Sequence, residues 1–389
     1  MQASSAYTSN SDPYRAGIEL GTVLKATAPE VIWLFCTIHY GGSSELMEGL
    51  YDGLGSDTAV LIGNSGDGVY ATDRASNLGV AALGLNSGGK VRWAAGLAEG
   101  ATADPEGATR RALAAVQAAL GGEQPDLLFL SSDFSTDASL IERALHDIDA
   151  PAIGGFAADD NLMQSCFLFV GRKLVRDAIV MLGVKGDFGF DIRIGNSLTP
   201  IGQPGLVDDA EGTQVRSIDG LSAMAFIERE TGKPVLQSDR GIMSLTVIDP
   251  ARLAQRRLRS IVPDFSTNAG HLGLYGGIET GKQVQVCLAR PDELIREVYD
   301  IAEASRRVDF TPCAALIVSC SGRKQLLGNQ IEHEVKALSQ AFPHGLPMAG
   351  FPSFGEIGPL RDEHGYTRNL FHNMTYVLLL IGDRGAATA

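Results

Sequence analysis

Apolar runs in this chain are short. The longest, near Val31 and near Tyr376, fall far below the roughly 20 residues that a membrane-spanning helix needs. Positive charge is scarce as well, 32 Lys and Arg against 46 Asp and Glu, for a formal net charge of −14. Such a surface repels phosphate backbones and anionic headgroups, so neither nucleic acid nor membrane is expected as a partner. The one basic cluster, Arg252, Arg256, Arg257 and Arg259, lacks interleaved aromatics and reads as the solvated face of a helix. Cysteine is sparse and unpaired: 5 residues, at 36, 166, 287, 313 and 320, follow no disulfide or zinc spacing. Most fall inside apolar segments, as the reduced, buried thiols of a cytoplasmic protein would. Residues 1–12 are small and polar, with neither a charged start nor an apolar stretch; this does not fit a secretion signal and reads as a frayed lead-in.

Catalytic signatures are missing too. The sequence has no Gly-x-x-x-x-Gly-Lys-Ser/Thr phosphate loop, no Gly-x-Gly-x-x-Gly after a strand, no His-Glu-x-x-His and no paired-cysteine metal spacing. Gly63-Asn64-Ser65-Gly66-Asp67 approaches a nucleophile elbow but carries Asp where the final Gly is required.

What is present is one pattern repeated three times. An apolar strand ends in small polar residues (Val31 to Thr37, Asp126 to Ser132, Ala315 to Ser321). An amphipathic helix follows, with apolar positions at Leu46/Met47/Leu50/Leu54, Leu140/Ile141/Ala144/Leu145/Ile148 and Ile331/Val335/Leu338/Phe342, the spacing of a single buried face. Each unit then reaches a glycine, Gly63, Gly154 or Gly350, and returns through an apolar run at Leu78 to Leu85, Ala178 to Val184 or Thr375 to Ile381. The fold class expected is α/β, with repeated strand-helix-strand units forming mixed sheets in two pseudo-related domains. A ligand would be met at the polar strand ends.

Cys320-Ser321-Gly322-Arg323, then Ala349-Gly350-Phe351-Pro352-Ser353-Phe354-Gly355-Glu356-Ile357-Gly358, then His372-Asn373-Met374-Thr375 before an apolar strand, resemble the C-terminal half of the FIST family. The N-terminal half is similar through Ala59 to Gly68, where the family has a Gly-Cys-Ser-Thr-x-Gly-Glu-like turn. Here Asn64 replaces the cysteine and Asp67 a small residue, which speaks against thiol chemistry at position 64. The resemblance, over about residues 30–370, implies tandem N- and C-terminal FIST domains in an intracellular sensory protein of bacterial signal transduction. It also implies a small-molecule ligand, with amino acids suggested, and a partner such as a histidine kinase of two-component signalling, a chemoreceptor or a cyclic-dinucleotide enzyme. Some members resemble haem-based nitric oxide sensors, which leaves haem open as a cofactor.

The organisation expected is a flexible tail and lead-in over 1–29, a FIST N-terminal domain over 30–220, a FIST C-terminal domain over 221–383 and a tail over 384–389. Ser197 to Gly212, rich in Gly, Pro and Asp, reads as a loop before the boundary. Leu221 to Thr231 reads as a helix stopped by Gly232 and Pro234, and Asp292 to Val308 as a long amphipathic helix.

Ligand-binding candidates are Gly63, Asn64, Ser65, Ser321, Gly322, Arg323, Phe354, Gly355, Glu356 and Asn373. Arg323 offers a planar fork to a carboxylate and Glu356 an acceptor to an ammonium, which together would clamp an amino acid; equally, either could pair within the fold. Gly63, Asn64 and Ser65 are ordinary turn residues as well as potential contacts. His372 is the candidate haem-iron ligand, with His39 and His271 behind it, although a histidine beside an asparagine at a strand start is also a common structural residue. The function expected is a small-ligand sensor and not an enzyme; the alternative is an enzyme with Cys320 as nucleophile.

Overall fold

The computed structural model describes residues 1–41, 43–248 and 257–384. The first unit is built from β1 (Gln2–Thr8), α1 (Pro13–Leu24), β2 (Val31–Thr37), α2 (Glu45–Leu54), β3 (Val60–Gly66), β4 (Val69–Ala71), β5 (Arg74–Ser76) and β6 (Val80–Asn86). The second contains β7 (Val91–Glu99), α3 (Pro105–Ala119), β8 (Leu127–Ser132), α4 (Ala138–Leu145), β9 (Ala152–Phe156), β10 (Leu168–Val170), β11 (Lys173–Val175) and β12 (Ala178–Gly186). The third opens with β13 (Gly189–Gly195) and is interrupted by β14 (Thr199–Glu211), β15 (Gln214–Ile218), β16 (Leu221–Ser222), α5 (Ala223–Thr231), β17 (Ser244–Ile248), β18 (Arg257–Pro263), β19 (Leu272–Leu274) and β20 (Gln283–Leu288). It resumes with α6 (Pro291–Ala304), β21 (Phe310–Cys320), α7 (Ser321–Leu327), α8 (His333–Ala341), β22 (Met348–Ser353), β23 (Glu356–Asp362), β24 (Gly365–His372) and β25 (Tyr376–Arg384).

Three six-stranded sheets share one order: β1-β6-β2-β3-β10-β11, β7-β12-β8-β9-β23-β24 and β13-β25-β21-β22-β4-β5. Each centres on a parallel pair, β2/β3, β8/β9 or β21/β22. Each ends in a hairpin supplied by a different unit, so β4-β5 leaves the first unit for the third sheet, β10-β11 leaves the second for the first, and β23-β24 leaves the third for the second. This cyclic exchange ties the three units into one body.

The repeated glycines have a physical reason. Gly63 lies opposite Leu34, Gly154 opposite Leu130 and Gly350 opposite Ile317 in equivalent registers. A β-carbon there would sit 1.7, 1.7 and 2.0 Å from the carbonyl oxygens of those partners, so the strands close only around a residue without one. The inward faces of the three sheets pool a single core: Trp33 meets Phe129 edge-on, and Phe35 stacks on Phe351 with ring centroids 4.9 Å apart. The helices cover the outer faces. Their starts carry side-chain caps at Asp12, Asp104, Asp137 and Ser222.

Several expectations are corrected. The lead-in is ordered: β1 pairs along its length with β6, because its alternating small residues fit an edge strand whose helix-covered face, at Ala6 and Thr8, is buried. Ser197 to Gly212 is mostly β14, which opens a seven-stranded sheet in the order β14-β20-β17-β18-β19-β15-β16. That sheet is inserted between β13 and α6, has its own core around Phe226, Leu245, Ile261 and Val286, and contains residues 220 and 221. Arg257 and Arg259 lie on β18, not on a helix; Arg252 and Arg256, like residues 385–389 of the expected tail, lie outside the described residues. The helix stopped by Gly232 is α5, with Gly232 left-handed at φ 70°, and the long helix before the third repeat is α6.

Candidate functional site

β21 runs buried to Cys320 and turns directly into α7. Ser321 and Gly322 therefore emerge at the carboxyl end of a central parallel strand, where α/β sheets meet ligands. The turn from β24 to β25 sets Asn373 alongside, with Met374 held at φ 59°. The inserted sheet packs over this end: the Ser260 amide donates to Asn373 Oδ1 at 3.0 Å. Between the two surfaces lies a cavity of about 170 Å³, lined by Arg240, Gly241 and Tyr275 of the insert and by Cys320, Ser321, Gly322, Phe354 and Asn373 of the third unit. Asn161 and Met163, from the loop after β9, close one side.

Arg240 Nε donates to the Tyr275 hydroxyl at 3.1 Å. Among the described residues no carboxylate pairs with this guanidinium, so its terminal nitrogens remain available. Ser321 Oγ is buried without a hydrogen bond of ordinary geometry. Next to it, burial raises the Asp67 carboxyl to about 6 against the opposing pull of Lys324. The arrangement suits an anionic group brought up to Arg240.

Four of the sequence-predicted residues, Ser321, Gly322, Phe354 and Asn373, share this cavity. The others do not line it. Arg323 is fully buried and its Nε donates to Glu334 at 2.9 Å while Nη1 reaches Glu297 at 3.2 Å. Burial works against its charge, but those two carboxylates prevail and hold it protonated. Glu356 accepts from the Thr375 amide at 3.1 Å and hydroxyl at 2.8 Å, and burial raises its carboxyl to about 8. The expected clamp is therefore corrected: both groups are spent inside the fold, as ion-pair and turn-holding residues. Asn64 bonds the Ser65 carbonyl and accepts from Ser131 at 2.6 Å, and Ser65 donates to the Ala158 carbonyl at 2.8 Å; they seal the join between the first two units. Gly63 serves strand closure, and Gly355, at φ 158°, packs under the Phe371 ring.

His372 does not fit a haem iron. Its ring is fully buried, Nε2 lies 3.0 Å from the Gly358 carbonyl, and burial lowers it to about 4. Its other nitrogen faces the packed interior, and the adjacent 170 Å³ cavity is well below the ~300 Å³ at which drug-sized sites begin. His39 is exposed, with Nδ1 3.3 Å from Thr37 Oγ1. Among the described residues no group of three or more His, Cys, Asp or Glu side chains could hold a metal ion, and no helix is long and apolar enough to cross a membrane.

Sequence reasoning missed Arg240, Tyr275 and Ser260. Arg240-Gly241 follows a turn-rich stretch after Pro234, but only the tertiary placement of the insert gives it meaning. Two wider grooves, about 700 Å³ beside Arg193 and Glu297 and about 690 Å³ beside Glu142 and Arg257, contain none of the predicted site residues.

The fold is a pseudo-repeated α/β body with a cavity beneath an inserted sheet. The FIST N domain model matches residues 5–221 and the FIST C domain model residues 235–359; the chain belongs to the FIST family, whose domains are associated with signal transduction and small-ligand sensing. Similar proteins include an uncharacterized protein of Mycobacterium tuberculosis, 24% identical over 271 residues, covering 62% of this chain and 66% of that one. Another, from Mycobacterium bovis, is 25% identical over 256 residues, covering 63% and 64%. In both cases the match spans just under two thirds of the relative's length. Among solved structures, cyanuric acid hydrolase from A. caulinodans is similar at TM-score 0.34 and 11% identity, covering 99% of each chain. Phosphoribosylformylglycinamidine synthase II from Thermotoga maritima is similar at TM-score 0.21 and 12% identity, covering 98% of this chain and 72% of that one. Likenesses this weak carry no argument about activity.

Proposed function

We propose that the chain is a sensory protein that binds a small molecule in the cavity beneath the inserted sheet and signals its occupancy to a partner protein. The observation that carries this reading is the cavity itself. It brings the motif residues Ser321, Gly322, Phe354 and Asn373 together with Arg240, a cation that no described carboxylate neutralises. A ligand there touches two separately cored parts of the chain, and a ligand shifts a conformational equilibrium only through different affinity for its two states. Occupancy would therefore act on how the insert sits against the third unit. A partner such as a histidine kinase, a chemoreceptor or a cyclic-dinucleotide enzyme would read that position.

Thermal shift across a panel of small metabolites tests the reading. A ligand at 100 times its dissociation constant adds about 2.7 kcal/mol of stability. The shift should vanish in Arg240→Ala, whose melting in the absence of ligand should stay close to that of the parent, and in Asn373→Ala, which should melt lower because the buried Ser260 amide loses its acceptor. A shift retained in both variants would place the ligand elsewhere.

A further inference from the structure

The cavity has one cation and no anion: among the described residues its lining contains Arg240 but neither Asp nor Glu. We infer that its ligand is a small monocarboxylate without an ammonium group, such as a 2-oxo or 2-hydroxy acid, and not an amino acid; this rests on the cavity being the ligand site.

The acids close behind the walls face other partners, and Asp67 beside Ser321 has Lys324 Nζ 3.8 Å from its Oδ1. Asp239 accepts from Lys233 Nζ and the Leu236 amide, each at 2.8 Å. Asp159 takes the amides of Met163, Gln164 and Ser165 at 2.6–2.9 Å. Asp160 lies 3.9 Å from Lys324 Nζ, which also donates to the Asp67 carbonyl. Glu356 is held by Thr375. An α-ammonium entering this space would lose its water without gaining a counter-charge, a penalty of the kind that keeps unpaired charges out of interiors. A carboxylate meets the opposite situation. Arg240 spends Nε on Tyr275 and keeps its terminal nitrogens for two parallel hydrogen bonds to one carboxylate.

The remaining polar groups suit a neutral oxygen at the second carbon. Asn373 commits Oδ1 to the Ser260 amide and leaves Nδ2 as a donor, while the Ser321 hydroxyl either donates or accepts. A cavity of about 170 Å³ admits a molecule of a few heavy atoms, and a single cation matches a single negative charge.

Isothermal titration of the full chain with pyruvate, L-lactate, L-alanine and inorganic phosphate decides the matter, since the three organic acids are near-isosteric. Pyruvate or L-lactate is expected to bind at least tenfold more tightly than L-alanine, and Arg240→Gln is expected to weaken that binding at least tenfold with melting unchanged. L-Alanine binding as tightly as the other acids, still dependent on Arg240, overturns this ligand class and leaves the cavity as the site. Binding of any acid that Arg240→Gln does not affect overturns the cavity itself. Phosphate binding alone, or no binding by either favoured acid, overturns the monocarboxylate.

Discussion

The α-carbon of Gly322 faces the carbonyl oxygen of Gly241 so closely that a β-carbon at 322 would stand 2.4 Å from it, and 2.5 Å from Met374 Sδ. This is the contact through which the insert leans on the start of α7. Gly322→Ala must push the 237–241 segment away, at about 1–3 kcal/mol for an overpacked contact. The variant should melt lower and lose ligand affinity together, whereas a distant core variant of equal stability should keep its affinity. Unchanged affinity in Gly322→Ala would show that the insert does not need this seat to form the site.

Closure of the three central strand pairs makes a sterner demand. Gly63→Ala, Gly154→Ala and Gly350→Ala each aim a methyl group at a backbone carbonyl that cannot move alone. Each should cost about 3 kcal/mol or more, at the top of the range for overpacking, and chemical denaturation would register the loss. Tolerance at one position only would mean that the three units are less alike than their registers imply.

The three units were legible in the sequence because strand ends, helical spacing and a sterically required glycine recur together, and each recurrence has a local cause. The insert was not. β14 carries two Gly and two Pro and is exposed along much of its length, so local composition imitates a loop. Nor could the sequence show which sheet receives each hairpin, since that depends on partners far along the chain. The site was half visible: Ser321 and Asn373 stand at strand ends as expected, but Arg323, two residues after Ser321, rotates with the helix toward Glu334 and Glu297, and the cation that faces the cavity comes from the insert.

Glu142 on α4 holds Arg259 of the insert at 2.8 Å and Arg257 at 3.0 Å, with Arg259 and Glu142 both buried. Burial works to raise the Glu142 carboxyl, yet Arg259, His146 and Arg257 outweigh it and hold it at about 2. A lowered carboxylate stabilises the fold above its ordinary value, and that contribution disappears as pH falls toward 2. Glu142→Gln strands a buried arginine and should cost about 3–5 kcal/mol at neutral pH. The gap to the parent should narrow in acid melts between pH 4 and 2. An equal gap at every pH would assign the loss to packing.

Glu356 should behave in the opposite sense. Its carboxyl is raised from 4.5 to about 8 by burial, so between those values the folded chain keeps a proton that the unfolded chain releases. Stability from this group is fully present below the ordinary value and declines as pH rises through the interval, by at most about 1.36 kcal/mol per pH unit. Glu356→Gln keeps an acceptor for Thr375 and removes the titration. Its melting temperature relative to the parent should therefore climb from pH 5 to pH 8; parallel curves would mean that Glu356 is ionised in the fold.

Cys320 separates a sensor from an enzyme. Its thiol lines the cavity but is only 5% exposed, and burial raises it well above the ordinary thiol value. The thiolate is the nucleophile, so a thiol held protonated next to a bound acid is a wall and not a reagent. At pH 7.5 the folded protein should resist iodoacetamide at Cys320 while the denatured chain reacts, with mass spectrometry of the tryptic peptide as the readout. Cys320→Ala should bind the same small acid within about threefold of the parent, because removing one buried thiol leaves Arg240 and Asn373 in place. Rapid alkylation of the folded chain, together with turnover of a bound acid that disappears in Cys320→Ala, would instead make Cys320 a catalytic nucleophile.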